Sequence, residues 1–214
     1  MVDWRLFAGL PDEDIRRLVL VARRRRFDRN EVVFHRGDPA DALHLVSGGR
    51  FAAQITTALG SVAMLQIHGP GDAFGELALL SSDGVRAATV IALERGETRA
   101  LHRADFQHVR REHPGVNDVL AALLAGRVRE LSDRLVEALY IDADTRVGLR
   151  LRELAVLYGD GRGRTVIPLT QEHIAGLAGT SRATVNRVLR ELERRGSVEL
   201  SRGRTTVLDL SRLG

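Results

Sequence analysis

The sequence predicts an α+β chain: a strand-rich N-terminal half, one long amphipathic helix, and a small C-terminal module of helices closed by a hairpin. Three observations carry this. From Phe27 to about Leu101, short apolar runs alternate with clusters of Gly, Asp and Pro, the pattern of short strands and tight turns in a compact barrel or roll. Between residues 114 and 140 the period changes. Val116, Leu120, Leu123, Leu124, Val128, Leu131, Leu135 and Leu139 gather on one side of a helical wheel. Beyond residue 140, capping hydroxyls and a glycine turn follow one another closely at Thr170, Gly179 and Ser181. The domain bounds are therefore set at 1–113, 114–140 and 141–214.

Composition narrows the class. A chain of 214 residues with 44% apolar and 28% charged residues is ordinary for a globular protein of two modest domains. No run approaches the roughly 18 apolar residues of a membrane span, and the opening MVDWRLF has no signal-peptide pattern. The absence of cysteine excludes disulfides, cysteine-ligated zinc and iron–sulfur clusters. A cytoplasmic location with no membrane partner is expected. All 32 basic residues are arginines, a bias of the whole chain. Residues 1–140 hold 19 Arg against 19 Asp and Glu, and residues 141–214 hold 13 against 9, so the net charge of +4 sits in the C-terminal third. A basic module joined to a neutral one points to a nucleic-acid partner for the former.

In chain order, residues 4–20 read as a short helical segment with Pro11 and the acids Asp12–Asp14 in a first turn. Arg23–Arg26 read as a solvated edge, with a protein-contact patch as the alternative. The runs EVVF, ALHLVSGG, RFAAQI and LGSVAMLQIHG follow as strands. Gly37, Gly48, Gly49, Gly69 and Gly71 are placed at turns needing positive φ. His35, His44 and His68 form no short metal motif, and His44 lies in an apolar strand as a core histidine would; no metal is expected.

The stretch FGELALLSSDGVRAATV, residues 74–90, carries the chemistry of a pocket for a small phosphorylated ligand. A glutamate accepts from a ribose hydroxyl, an arginine pairs bidentately with a phosphate, and small neighbours allow close approach. In this order and spacing it resembles the phosphate-binding cassette of cyclic-nucleotide-binding domains, and Arg36-Gly37-Asp38-Pro39 matches the early hairpins of that fold. The resemblance implies a β-roll that binds cyclic AMP or a related nucleotide through Gly75, Glu76, Leu77, Arg86 and Ala87. In it Glu76 takes the ribose and Arg86 the cyclic phosphate, with backbone amides near Gly75 and Ala87 as further donors. It also makes helix 114–140 a dimerisation helix, with a helix covering its own barrel as the alternative. Bacterial relatives contact adenine through a Thr-Ser pair on this helix, a pair that falls here on Leu131 and Ser132. Leu131 removes a hydroxyl, which leaves open a different nucleotide or a ligand-free regulator.

The remainder is a helix of about 15 residues from Thr145, the loop 159–164, and a strand Thr165–Pro168. A helix capped by Thr170 follows, then a turn at Gly179 and a second helix capped by Ser181 and running to about Arg195. On that second helix Val185, Val188, Leu189 and Leu192 share one face, while Arg182, Ala183, Asn186 and Arg187 lie on the other, near its N-terminus. Arginine pairs with guanine O6 and N7 and asparagine with adenine, so this face suits a major groove. Thr170, Ser181 and Thr184 are placed for phosphates. The tail SVELSRGRTTVLDL reads as a hairpin with Arg202 and Arg204 at its tip, the wing of a winged helix-turn-helix.

This arrangement resembles the DNA-binding domain of cyclic-AMP-receptor and FNR-type bacterial regulators. There Arg-Glu stands where this chain has Arg182-Ala183, so one base of the half-site should be relaxed or changed. The resemblance implies a homodimeric, allosteric transcription regulator on double-stranded DNA with two half-sites. RNA polymerase is a further partner under consideration, with loop 159–164 and Arg23–Arg26 as candidate surfaces. No nucleophile–base pair, metal cluster or phosphate loop with its lysine supports an enzyme. A protein-interaction module is the distant alternative.

Overall fold

A computed structural model describes residues 2, 4–58, 60–80, 84–159 and 163–213. The chain divides into two compact units, residues 1–55 with 66–130, and residues 56–65 with 131–214.

The first unit opens with helix α1 (Asp12–Val21), whose first turn holds Asp12, Glu13 and Asp14 against the helix dipole. Among the described residues, eight strands follow: β1 (Arg23–Phe27), β2 (Val32–Phe34), β3 (Ala42–Gly48), β4 (Phe51–Thr56), β5 (Val62–His68, of which residues 66–68 belong to this unit), β6 (Ala73–Phe74), β7 (Thr89–Ala92) and β8 (Gly96–His102). A short helix, α2 (Glu76–Leu80), sits between β6 and β7. The strands form two antiparallel four-stranded sheets, ordered β1-β8-β3-β6 and β2-β7-β4-β5. The period-two alternation of β3 divides two cores. Val46 joins Phe27, Phe51, Phe74, Val90 and Ala92 in one cluster. Leu43 and Leu45 join Trp4, Phe7, Leu101 and Phe106 in the other.

Helix α3 (Arg103–Glu112) leads to α4 (Gly115–Tyr140), which at 1.5 Å per residue is about 39 Å long. Val116 and Leu120 are buried in the second cluster, so the first turns of α4 do cover their own barrel. Val128, Leu131, Leu135, Val136 and Leu139 further along are exposed.

The second unit contains α5 (Ala143–Tyr158), β9 (Thr165–Ile167), α6 (Gln171–Ala178), α7 (Arg182–Arg194) and the hairpin β10 (Val198–Ser201) with β11 (Arg204–Val207). The three strands form one sheet ordered β10-β11-β9. Leu151, Ile167, Ile174, Val185, Leu189 and Val207 are fully buried. Buried Arg150 is paired with Glu137 at the end of α4 and with Glu153 on α5.

The α+β order read from the sequence is the order observed. The solvated edge read at Arg23–Arg26 is the exposed edge strand β1, whose Arg24 and Arg26 both pair with Glu97 of the neighbouring β8. One detail differs. Of the five predicted turn glycines, Gly37, Gly49 and Gly71 have positive φ. Gly48 and Gly69 do not: Gly48 ends β3 at a register shift, and Gly69 donates to the Asp72 side chain. Loop 159–164, a candidate polymerase surface, has its tip at 160–162 outside the described residues, as is segment 81–83 of the 74–90 stretch.

Candidate functional site

Two groups of polar residues stand out, one in each unit. In the first, two loops bridged antiparallel at Pro39 and Val85 hold Arg86. The Arg36–Pro39 turn clasps the backbone of the arginine from both sides: Gly37 N donates to Arg86 O and Arg86 N to Asp38 O, each at 2.9 Å. The turn is itself fixed by the Asp38 carboxylate, which accepts from His35 N at 2.8 Å. The side chain then runs inward and is only 3% exposed.

The Arg86 guanidinium is thinly satisfied. Nη1 donates to Gly75 O at 3.3 Å, Nη2 to Asp41 Oδ1 at 3.4 Å, and the group lies 4.0 Å above the Phe34 ring. Its Nε is buried without a hydrogen-bond partner, and Asp41 is 76% exposed. Burial pushes the guanidinium pKa down from its ordinary value, with the Asp41 and Asp38 carboxylates opposing. A buried cation with long bonds and one orphan donor is costly unless an anion completes it. Gly75 makes the approach possible. It has φ +87°, and a Cβ there would fall 2.6 Å from Arg86 Nη1, so no other residue fits without moving the arginine.

Glu76, next in sequence, is buried, and its Oε1 pairs with Arg127 Nη1 of α4 at 3.2 Å. The two line a cavity of about 200 Å³ with Gln66, His68, Leu120 and Leu124. His68 is 1% exposed, and its Nδ1 has no partner. Burial, reinforced by the Arg127 charge, pushes its pKa down to about 3, so the ring is neutral. His44 serves the core instead: it stacks on Phe74 with centroids 5.1 Å apart and shares a 3.0 Å hydrogen bond with Thr98. Burial, with Arg86 and Arg25, holds its pKa near 3 as well, pushed down to about 3. Among the described residues, no group of three His, Asp or Glu side chains could hold a metal.

The structure thus brings Gly75, Glu76 and Arg86 into one cassette, with Leu77 and Ala87 exposed at its surface. Leu131 and Ser132 belong to the second unit, where both side chains are exposed. Sequence reasoning missed Gln66, weighed His68 only as a metal ligand although the two stand two residues apart on β5, and missed the role of Arg127 as the partner of Glu76. Its placement beside the apolar stripe of α4 was the available signal.

In the second unit, α6 and α7 are fixed by caps at the residues expected. Thr170 Oγ1 accepts from His173 N at 3.2 Å, and Ser181 Oγ from Thr184 N at 3.1 Å. Gly179 closes the turn between them with φ +59°. A groove of about 730 Å³ opens between α7 and the β10–β11 hairpin, and Thr170, Gln171, Arg182, Asn186, Arg190, Arg202 and Arg204 line it. Asn186 Nδ2 donates to Gln171 Oε1 at 3.1 Å. Ser181, Ala183, Thr184 and Arg187 lie outside the groove lining; Arg187 is instead held by Asp144. Arg190, one turn beyond Asn186 on the same face, was missed by the sequence reading although its spacing is regular. A cationic groove flanked by an exposed helix and a two-stranded wing can accept a polyanion and present arginine and amide groups to base edges.

A domain that buries an undercompensated arginine, followed by a winged helix-turn-helix, is the plan of a ligand-responsive DNA-binding regulator, and comparison with known proteins gives the family. The "Cyclic nucleotide-binding domain" family matches residues 24–113, and the "Crp-like helix-turn-helix domain" family matches residues 134–214. The cyclic AMP receptor protein of Thermus thermophilus is 36% identical over 208 residues, which cover 97% of this chain and 94% of that protein. The CRP-like cAMP-activated global transcriptional regulator of Mycobacterium tuberculosis is 29% identical over 211 residues, 97% and 94% of the two chains. The structure of FixK2 from Bradyrhizobium japonicum shares the fold, with a TM-score of 0.79 at 24% identity over 90% of this chain and 96% of that one. The chain belongs to the family of cyclic-AMP-receptor and FNR-type transcription regulators. It is a DNA-binding regulator carrying a cyclic-nucleotide-binding domain. Among the described residues, no helix is long and apolar enough to cross a membrane.

Proposed function

We propose that this chain is a homodimeric regulator whose DNA binding is controlled by cyclic AMP. The observation that carries the reading is Arg86, buried at 3% exposure with a partnerless Nε and bonds of 3.3 and 3.4 Å. A cyclic phosphate supplies the charge and the short acceptors that this guanidinium lacks. Glu76 accepts from the ribose 2′-hydroxyl, exchanging part of its pairing with Arg127 for the ligand. Arg127 then links the ligand to α4. Gln66 and the neutral His68 offer further polar edges in a cavity where Leu6, Leu120, Leu123 and Leu124 face the charged Glu76, Arg127 and Glu130.

The exposed side chains Val128, Leu131, Leu135 and Ala138 recur at alternating spacings of three and four along α4, the seam of a two-stranded coiled coil. A second copy of the chain covers that seam. In the dimer the two α7 helices meet successive major-groove faces about 34 Å apart, and the ligand shifts the population toward that spacing. Arg182, Asn186 and Arg187 read bases; Thr170, Ser181, Thr184, Arg202 and Arg204 meet phosphates. Ala183 offers no acceptor to a cytosine. A second reading keeps the fold and changes the nucleotide, because apolar Leu131 stands where bacterial relatives hold adenine with a hydroxyl.

Calorimetric titration with cyclic AMP and cyclic GMP, on wild type and Arg86→Leu, tests this. Wild type should bind cyclic AMP with a Kd on the order of micromolar. The variant should lose roughly a hundredfold, since a charge-assisted pair disappears. The ligand-free variant should melt no lower than wild type, because an apolar side chain replaces an undercompensated buried cation. Preference for cyclic GMP would favour the second reading. Absence of heat with either nucleotide would remove the effector assignment.

A further inference from the structure

Arg187 has a partner that the reading of α7 does not use. Its Nη1 donates to Asp144 Oδ2 at 2.7 Å and its Nη2 to Asp144 Oδ1 at 2.5 Å, a two-pronged pair between residues 43 positions apart. Asp144 is rigidly placed in the first turn of α5, where the Asp142 carboxylate caps the helix by accepting from Asp144 N and Thr145 N, each at 3.0 Å. Both partners remain open to solvent, Arg187 at 65% and Asp144 at 45% exposure. The Asp144 carboxylate raises the Arg187 pKa further above its ordinary value. On α7 itself, Glu191 pairs with Arg194 and Arg195, and Glu193 with Arg190.

A carboxylate offers a guanidinium the same two-oxygen geometry as a phosphate. The fork of Arg187 is therefore already neutralised by a group that imitates the DNA backbone. The pair occupies one N–H of each terminal nitrogen. The Nε edge stays available, and that edge can still deliver two parallel hydrogen bonds to O6 and N7 of a guanine.

We propose that Asp144 is a positioning residue that sets how well this regulator tells its own site from other DNA. It acts in two ways. By neutralising Arg187 it lowers the sequence-independent attraction to phosphates, which supplies nearly all non-specific binding. By fixing the guanidinium it presents one edge to a base without the loss of side-chain freedom that a mobile arginine incurs on binding. The proposal rests on the reading that Arg187 contacts DNA, and the experiment separates the two.

Full-length wild type, Asp144→Asn, Arg187→Ala and the double variant are compared on a selected operator and a scrambled duplex across a range of salt, with saturating effector. Asp144→Asn, of the same shape, should bind the scrambled duplex about two- to fivefold more tightly, the range set by an exposed ion pair. The salt slope on that duplex should steepen by about one per protomer. The ratio of operator to scrambled affinity should fall by a similar factor. Asp144→Ser, which also removes the charge and is accepted in a first helical turn, should behave alike. In the Arg187→Ala background, removing Asp144 should leave the ratio unchanged. An unchanged ratio and slope in Asp144→Asn, or a fall of the same size without Arg187, overturns the proposal. Arg187→Ala binding both duplexes as wild type does would instead overturn the assignment of Arg187 to DNA.

Discussion

His44 and His68 are kept neutral by burial, each with its pKa pushed down to about 3 from 6.5. An unfolded chain takes up a proton at each ring below pH 6.5, and the folded one does not until near 3. Stability is therefore fully present above about pH 6.5 and drains as the pH falls, by about 1.4 kcal/mol per pH unit for each ring. The hydrogen-bonded carboxylates Glu97, Asp142 and Asp209, also held below their ordinary values, act only in the more acidic range near their own titration. Thermal melts should show a marked fall in Tm between pH 7 and pH 5, and His68→Leu should remove roughly half of it. A Tm unchanged over that interval would contradict the burial of both rings. Only His44 could be placed from the sequence, because its strand is apolar; nothing in the run VAMLQIH says that His68 borders a cavity.

Helix α4 changes character along its length. Val116 and Leu120 are buried, whereas Val128, Leu131, Leu135 and Leu139 are 57–66% exposed. The periodicity that revealed the helix could not distinguish these segments, since both obey the same spacing. Leu135→Glu places a charge in the middle of the seam, away from the barrel core. It should convert a dimer at micromolar concentration into a monomer, read by sedimentation, while the Tm of the β-roll stays within a few degrees. A dimer that survives would move the interface elsewhere. The helix-turn-helix was the most legible element, because its signals are local: Thr170 and Ser181 cap within three residues of themselves, and Gly179 turns in place. The pairing partners in Glu76–Arg127 and Asp144–Arg187 were not legible for the opposite reason, although Arg127 stood out beside the apolar stripe. Each pair joins residues brought together only by the tertiary fold.

For the whole molecule, two ligands acting on one equilibrium must obey reciprocity. Whatever factor cyclic nucleotide adds to operator affinity, operator DNA must add to nucleotide affinity. With a coupling of the usual 1–3 kcal/mol, nucleotide titrations repeated on the operator complex should tighten by about five- to 150-fold. Equal nucleotide affinity with and without operator would show that the cassette does not govern DNA binding. The order of domains and the cassette were readable in advance because each depends on short motifs. The balance between conformations depends on small differences among many contacts, and no motif reports it.

The groove between α7 and the wing is lined by Arg182, Arg190, Arg202 and Arg204 and by no amine, as the chain has no lysine at all. Guanidinium groups keep their proton throughout the range in which proteins stay folded, and they are not substrates for acetyl transfer to lysine. A cell that adjusts its DNA-binding proteins by acetylating side-chain amines has nothing to modify on this surface. Acids supplied from the fold, such as Glu172 in the groove lining, temper its charge instead.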